Sequence, residues 1–161
     1  MSRLSEELQF IPVVETEAYG GAGTDSDCID LSRFSSVTYV FSFGDITGNS
    51  TLIFYAAPTA ALAVAKTGYE IAFNYRLAAA EVRTTAADTF GDVVAVASTG
   101  LTLTAATFDN KLTLVEFDCD LMGSSNRYMV FAVSSTASPM DLSVTVVGKP
   151  KYPGHTGVTS V

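Results

Sequence analysis

The side chains that most often perform catalysis are few in this chain and poorly placed for it. The one histidine, His155, lies among prolines and glycines near the C-terminus, whereas a serine or cysteine nucleophile needs a base held rigidly beside it. The two cysteines, Cys28 and Cys119, lack the paired spacing of zinc or redox sites. We therefore expect two free, partly buried thiols, no catalytic residue, no metal site, no cofactor and no enzymatic activity.

A cluster of aspartates after residue 24 raises the question of calcium. Its members are Asp25, Asp27 and Asp30. An EF-hand loop that starts at Asp25 needs glycine at its sixth position and glutamate at its twelfth, and this chain has Asp30 and Ser36 there. The motif therefore fails, and a looser calcium site shared with Asp118 and Asp120 is an open alternative.

The favoured interpretation of this cluster is structural. Its acids are expected to be solvated in loops or to pair with Arg33 and Arg127 of a neighbouring copy. Other enzymatic sites have less support, because no carboxylate pair stands out for glycoside hydrolysis and the chain has no tryptophan to stack on a sugar. The glycines at 20–23 also lack the lysine and serine or threonine of a phosphate-binding loop.

The composition indicates a protein that works through its surface. The chain has 161 residues, of which 48% are hydrophobic and only 16% are charged, with a net charge of -8. This length fits one domain, and an acidic chain is a poor ligand for nucleic acid. The longest uncharged stretch, residues 46–65, is split by glycine and Pro58 and does not predict a membrane helix. A high apolar content with few charges favours an oligomer or a docked component.

Three regions follow from the distribution of charge, glycine and proline. Seven of the 17 acids lie in the first 30 residues with a single base, Arg3, and the glycines at 20–23 separate an N-terminal arm, 1–24, from the body. The body, 25–148, is the predicted domain, and 149–161 is predicted to be an extended C-terminal tail. Phe10 and Ile11 of the arm and Tyr152 of the tail are expected to contact neighbouring subunits.

The body reads as short strands separated by turns. Apolar and polar residues alternate with the period of two that half-buried strands show, most clearly in residues 69–76. The predicted strands are 36–43, 51–56, 69–76, 92–98, 100–105, 111–117, 127–134 and 142–147. About eight such strands predict an all-β fold, an antiparallel β-sandwich or barrel, with aromatic side chains in its core. The alanine-rich stretches 59–65 and 78–87 fit either a short helix or a long loop.

Three segments of the sequence resemble a known family. They are Asp25 to Phe34 followed by Val37 to Phe41, then Asn126 to Val130, and finally Val146 to Tyr152. An acidic stretch that leads into the first long strand is similar to the opening of the auxiliary head proteins of tailed bacteriophages, which decorate or cement capsids. The likeness spans roughly residues 25 to 153, and the N-terminal arm does not match the family pattern.

The resemblance implies a jelly-roll-like β-sandwich that binds the outside of a phage head and clamps major capsid subunits together. It also implies a homotrimer or homodimer in the virion, made in the host cytoplasm, that binds neither nucleic acid nor a membrane. Two alternatives stay open: another virion β domain, such as a head–tail connector or a tail- or fibre-associated module, and a carbohydrate-binding sandwich.

Overall fold

The computed structural model describes residues 7–19, 23–82, 89–135 and 140–151, and within these the side chains of 7–14, 23–82, 89–134 and 140–151. Two antiparallel sheets pack face to face, so the predicted all-β sandwich is confirmed. Jelly-roll connectivity is a finer description that stays a prediction. No helix among the described residues is long and apolar enough to cross a membrane.

The first sheet, sheet A, has the strand order β1-β12-β4-β10-β7-β8. Its strands are β1 (Gln9–Tyr19), β4 (Phe34–Ile46), β7 (Phe73–Leu77), β8 (Val94–Val96), β10 (Leu112–Asp118) and β12 (Met140–Pro150).

The second sheet, sheet B, has the order β2-β11-β5-β6, while β3 also pairs with β11 and β9 with β5. Its strands are β2 (Thr24–Asp25), β3 (Ile29–Asp30), β5 (Ser50–Ala57), β6 (Glu70–Ile71), β9 (Leu101–Leu103) and β11 (Tyr128–Ser135).

Short helical turns connect the strands. They are the α-helices α1 (Ala60–Ala65), α2 (Ala105–Phe108) and α3 (Cys119–Met122) and the 3₁₀ turns Leu31–Arg33 and Ser124–Asn126. The first alanine-rich stretch, 59–65, forms a helix and not a long loop. The Thr59 hydroxyl accepts a hydrogen bond from the Leu62 N–H at 3.3 Å, as an N-cap does. The second stretch, 78–87, lies partly outside the described residues.

The core is built by alternate residues that point between the sheets, as their period of two requires. Rings from both sheets meet there: the centroids of Tyr39 and Phe54 are 5.0 Å apart, as are those of Phe41 and Phe131. All four side chains are fully buried, so the interpretation of the strand aromatics as core residues is confirmed. Cys28 and Cys119 are both free and buried, as expected.

The N-terminal arm is where the sequence interpretation is wrong. Residues 9–19 form β1, which pairs with β12 along the edge of sheet A and therefore belongs to the sandwich. Its side chains Ile11, Val13 and Val14 lie in the core, and their burial explains why the segment joins the domain. At the other end, β12 continues through Pro150, two residues past the predicted boundary of the domain.

Candidate docking surface

The predicted site residues fall into three different environments. Ile11 is 7% exposed and part of the core, so its expected contact with a neighbouring subunit is wrong. Phe10, the next residue along β1, is 50% exposed and faces outward. Tyr152 and His155 lie outside the described residues.

The two predicted arginines bind an acid of their own chain. Arg127 donates hydrogen bonds from Nε to Asp30 Oδ1 at 3.1 Å and from Nη2 to Asp30 Oδ2 at 2.9 Å. Arg33 Nε lies 3.9 Å from the same carboxylate. The expectation that these arginines pair with the acids of a neighbouring copy is therefore wrong for Asp30, because folding brings β3 and β11 side by side within one chain.

Asp30 is a structural anchor. Its carboxylate also accepts hydrogen bonds from the backbone N–H and the hydroxyl of Ser32, at 3.0 and 2.6 Å. Burial alone would raise the pKa of Asp30, but the hydrogen bonds from Arg127 and Ser32 outweigh this and lower the pKa to about 2. The group stays ionised at neutral pH and fixes the turn after β3 to the start of β11.

The described residues do not assemble the looser calcium site. Asp25 pairs with Lys66 at 2.6 Å, Asp118 caps helix α3 by accepting from the Asp120 N–H at 3.0 Å, and Asp120 pairs with Lys151 at 2.8 Å. Within the described ranges, no group of three or more histidine, cysteine or acidic side chains is placed to hold a metal ion. Burial raises the pKa of the Cys28 thiol to about 11 and that of Cys119 to about 12, so both are poor nucleophiles in the folded chain.

The outer side of sheet A carries an area of outward-facing side chains without charge. Its strand register aligns outward-facing side chains in rows across the sheet, such as Pro12, Thr145, Val40 and Leu114. A second row runs through Phe10, Val147 and Thr38. We call the uncharged part of this surface the open face. It consists of Phe10, Pro12, Thr38, Val40, Ser42, Leu112, Leu114, Ser143, Thr145 and Val147.

The side chains of the open face are all at least partly accessible. Phe10 and Pro12 are exposed and the other eight are half-buried, as expected where neighbouring side chains shield one another. Charged residues stand at its perimeter: Arg76 and Glu116 on the β7 side, Lys149 and Asp118 at one end, Asp141 at the other. An uncharged centre with a charged rim is the usual anatomy of a protein–protein interface.

The outer side of sheet B is different because the chain covers part of it. Helix α1 places Ala63 against Val130 of β11, Ala57 of β5 and Cys28, and these four side chains are buried. Lys66 follows the helix in a left-handed conformation (φ 64°), and its ammonium group binds Asp25 on β2. The outward-facing valine of this sheet is thus buried, whereas Val40 of the open face is not.

A signal for the open face is present in the sequences of β4 and β12, although it involves no catalytic residue type. At the centres of β4 and β12, the positions that alternate with the core residues carry Ser, Thr and Val instead of the charged residues usual on a solvated sheet: Thr38, Val40 and Ser42 in β4, and Ser143, Thr145 and Val147 in β12. Strand order decides which of these positions become neighbours on the outer side of sheet A, and only the structure shows that order.

No family model, no curated protein and no solved structure matches the chain.

Proposed function

We propose that this chain is a viral structural protein, a decoration or cement protein that binds the outside of a bacteriophage head and stabilises contacts between major capsid subunits. The observation that carries the proposal is the open face, an uncharged surface across the four strands β1, β12, β4 and β10 that the described chain leaves accessible. The sequence resemblance of residues 25 to 153 points to the same role. In this function the protein acts by binding alone.

The size of the open face bears on how such a protein would bind. Four strands span about 14 Å at a strand spacing of about 4.8 Å, and three rows of side chains also span about 14 Å. The resulting area of roughly 200 Å² is well below the ~800 Å² that each partner contributes to a standard interface. One copy would therefore bind weakly, and a homotrimer or homodimer would gain affinity by engaging several sites at once.

The first test measures assembly and capsid binding together. The mass of the purified chain is measured by light scattering, and the chain is then sedimented with empty heads of the phage that encodes it. We expect a stable dimer or trimer that sediments with the heads in stoichiometric amounts. A chain that stays in the supernatant at saturating concentration contradicts the proposal, and binding confined to one vertex or to the tail assigns it to a connector or tail component instead.

A matched pair of variants then locates the contact. Val40→Lys places a charge in the centre of the open face, where a docked partner would have to bury it, and should abolish sedimentation with heads. Val64→Lys adds the same charge on helix α1, where Val64 is 57% exposed, and should leave binding unchanged. If both variants bind like the parent chain, the open face is not the docking surface.

A further inference from the structure

A groove continues the open face towards the end of β10. It has a volume of about 710 Å³, and we call it the end groove. Its lining includes Thr38, Asn74, Glu116, Asp118, Leu121 and Lys149. Thr38 belongs to both the end groove and the open face, so a partner that covers the open face also reaches the groove.

The strand register shows how the two surfaces join. The row of the open face that contains Val147 and Thr38 ends at Glu116, which lies opposite Thr38. The next row across the sheet runs from Lys149 through Ser36 to Asp118. The end groove is therefore the next part of the same outer side of sheet A, and its charged side chains begin where the uncharged surface stops.

An exposed leucine lines the groove. Leu121 of helix α3 is 83% exposed, the highest value among the large hydrophobic side chains that the structure describes as exposed. Apolar side chains that a partner covers completely are among the strongest contributors to binding. Leu121 is thus the apolar contact that this end of the surface offers.

Helix α3 holds this leucine in place. Cys119 and Met122, three residues apart and so on one side of the helix, pack against the core. Asp118 caps the start of the helix, and Asp120 binds Lys151 at 2.8 Å. Because these contacts fix the helix before a partner arrives, binding at Leu121 costs little ordering of the chain.

The charge on the β10 side of the end groove is negative. Glu116 and Asp118 are exposed on the same side of β10, about 7 Å apart at ~3.4 Å per residue. None of the ion pairs among the described residues includes either of them. A cationic side chain placed between the two carboxylates would offset their mutual repulsion, and the planar fork of an arginine can donate to both.

We propose that the end groove binds a projecting segment of the major capsid subunit, one that is both apolar and basic. The segment places an apolar side chain against Leu121 and an arginine or lysine against Glu116 and Asp118, while the neighbouring surface of the same subunit covers the open face. This inference rests on the proposed function, since it states the chemistry of the partner at that docking surface.

The test is sedimentation of the full-length chain with empty heads of the phage that encodes it, over a range of concentrations that yields a Kd. Leu121→Ser removes the apolar contact and should raise the Kd about tenfold or more. The matched control is Leu62→Ser on helix α1, where Leu62 is 38% exposed, and it should keep the parent Kd. Circular dichroism of both variants confirms that the fold is intact.

A second pair of variants tests the charge of the segment. Glu116→Gln should raise the Kd about threefold at ~50 mM salt, and the difference from the parent should vanish near ~1 M salt, because attraction between exposed charges is screened. Glu70→Gln removes the same charge from the exposed Glu70 of β6 in sheet B and should bind like the parent at every salt concentration.

The outcomes separate this inference from the proposed function. Parent-like Kd values for both Leu121→Ser and Glu116→Gln, with Val40→Lys unable to bind, would overturn the inference and leave the proposed function standing. A parent chain that does not sediment would overturn both. A lower mass of Leu121→Ser than of the parent in light scattering would place a second copy in the groove and overturn the assignment to the capsid subunit.

Discussion

The two outer surfaces of the sandwich carry similar side chains, but helix α1 covers part of one of them and the other stays accessible in the described chain. Val40 in the middle of sheet A and Val130 in sheet B both point away from the core, yet Val40 stays partly accessible while Val130 is 1% exposed beneath helix α1. The six residues of α1 and the buried Ala63 make this difference. Within the described residues, the chain therefore covers part of the outer side of sheet B and leaves the open face of sheet A accessible.

The largest expected effect comes from placing the same charge on both surfaces. Val130→Lys buries an ammonium group under α1 and should lower the free energy of unfolding by about 3–5 kcal/mol. Val40→Lys leaves its charge in water and should cost less than about 1 kcal/mol. Urea unfolding followed by circular dichroism measures both. Equal losses would mean that the open face is as buried as the covered one.

Substitutions on the two sides of strand β12 should differ in their cost to stability, because Gly148 faces the core and Thr145 belongs to the open face. A Cβ added at Gly148 of β12 would overlap with the fully buried Phe34 ring, so Gly148→Ala should cost as much as about 3 kcal/mol through overpacking. Thr145→Ala removes atoms from the open face of the same strand and should cost less than about 1 kcal/mol. The urea midpoints of the two variants check this, and a milder effect of Gly148→Ala than of Thr145→Ala would contradict it.

The Asp30 anchor should make sheet B sensitive to acid. The pKa of Asp30 is about 2 in the folded chain against an ordinary value of 3.8, so ionised Asp30 stabilises the fold by about 2 kcal/mol above pH 4. Because the folded pKa is the lower one, this contribution is lost as the pH falls from about 4 to about 2. Asp30→Asn should therefore be less stable than the parent at pH 7 and equal to it near pH 2.

The measurement is a series of urea unfolding curves at pH 7, 4, 3 and 2. Arg33→Gln serves as the control, because its 3.9 Å contact involves a side chain that is 52% exposed and should contribute little. A difference between the parent and Asp30→Asn that persists unchanged at pH 2 would show that hydrogen bonding geometry, and not ionisation, supports the anchor.

The strands were predictable where hydrophobic alternation is regular. Seven of the eight predicted strands occur as single strands, whereas the predicted strand 69–76 is divided between β6 of sheet B and β7 of sheet A. The long strands β4, β5, β10, β11 and β12 were found because each packs one side on the core and so repeats every two residues. Strand β1 was not recognised, because register shifts between Pro12 and Val14 and between Val14 and Glu17 break its alternation. Its acids and the glycines at 20–23 suggested an arm. Pro12 does not prevent pairing, because an edge strand tolerates proline where the missing N–H would face away from its neighbour.

The candidate surface was harder to predict because it depends on contacts across long sequence separations. Asp30 and Arg127 are 97 residues apart, and the sequence offered no means of telling a partner in the same chain from one in a neighbour. The rows of the open face likewise combine β1, β12, β4 and β10. Strand order, which is set by tertiary packing, decides which uncharged positions become one surface.

The smallest expected effect concerns the contacts that attach helix α1 to the outer side of sheet B. Helix α1 is attached by buried apolar contacts through Ala63 and by the ion pair between Lys66 and Asp25. This ion pair is at the surface, where Asp25 is 55% exposed, and such pairs contribute about 0–1 kcal/mol and weaken in salt. Asp25→Asn should therefore lower stability by about 0.5 kcal/mol at low salt and by nothing measurable at about 1 M salt. A larger, salt-independent loss would mean that the ion pair, and not the burial of Ala63, keeps this side of the sandwich closed.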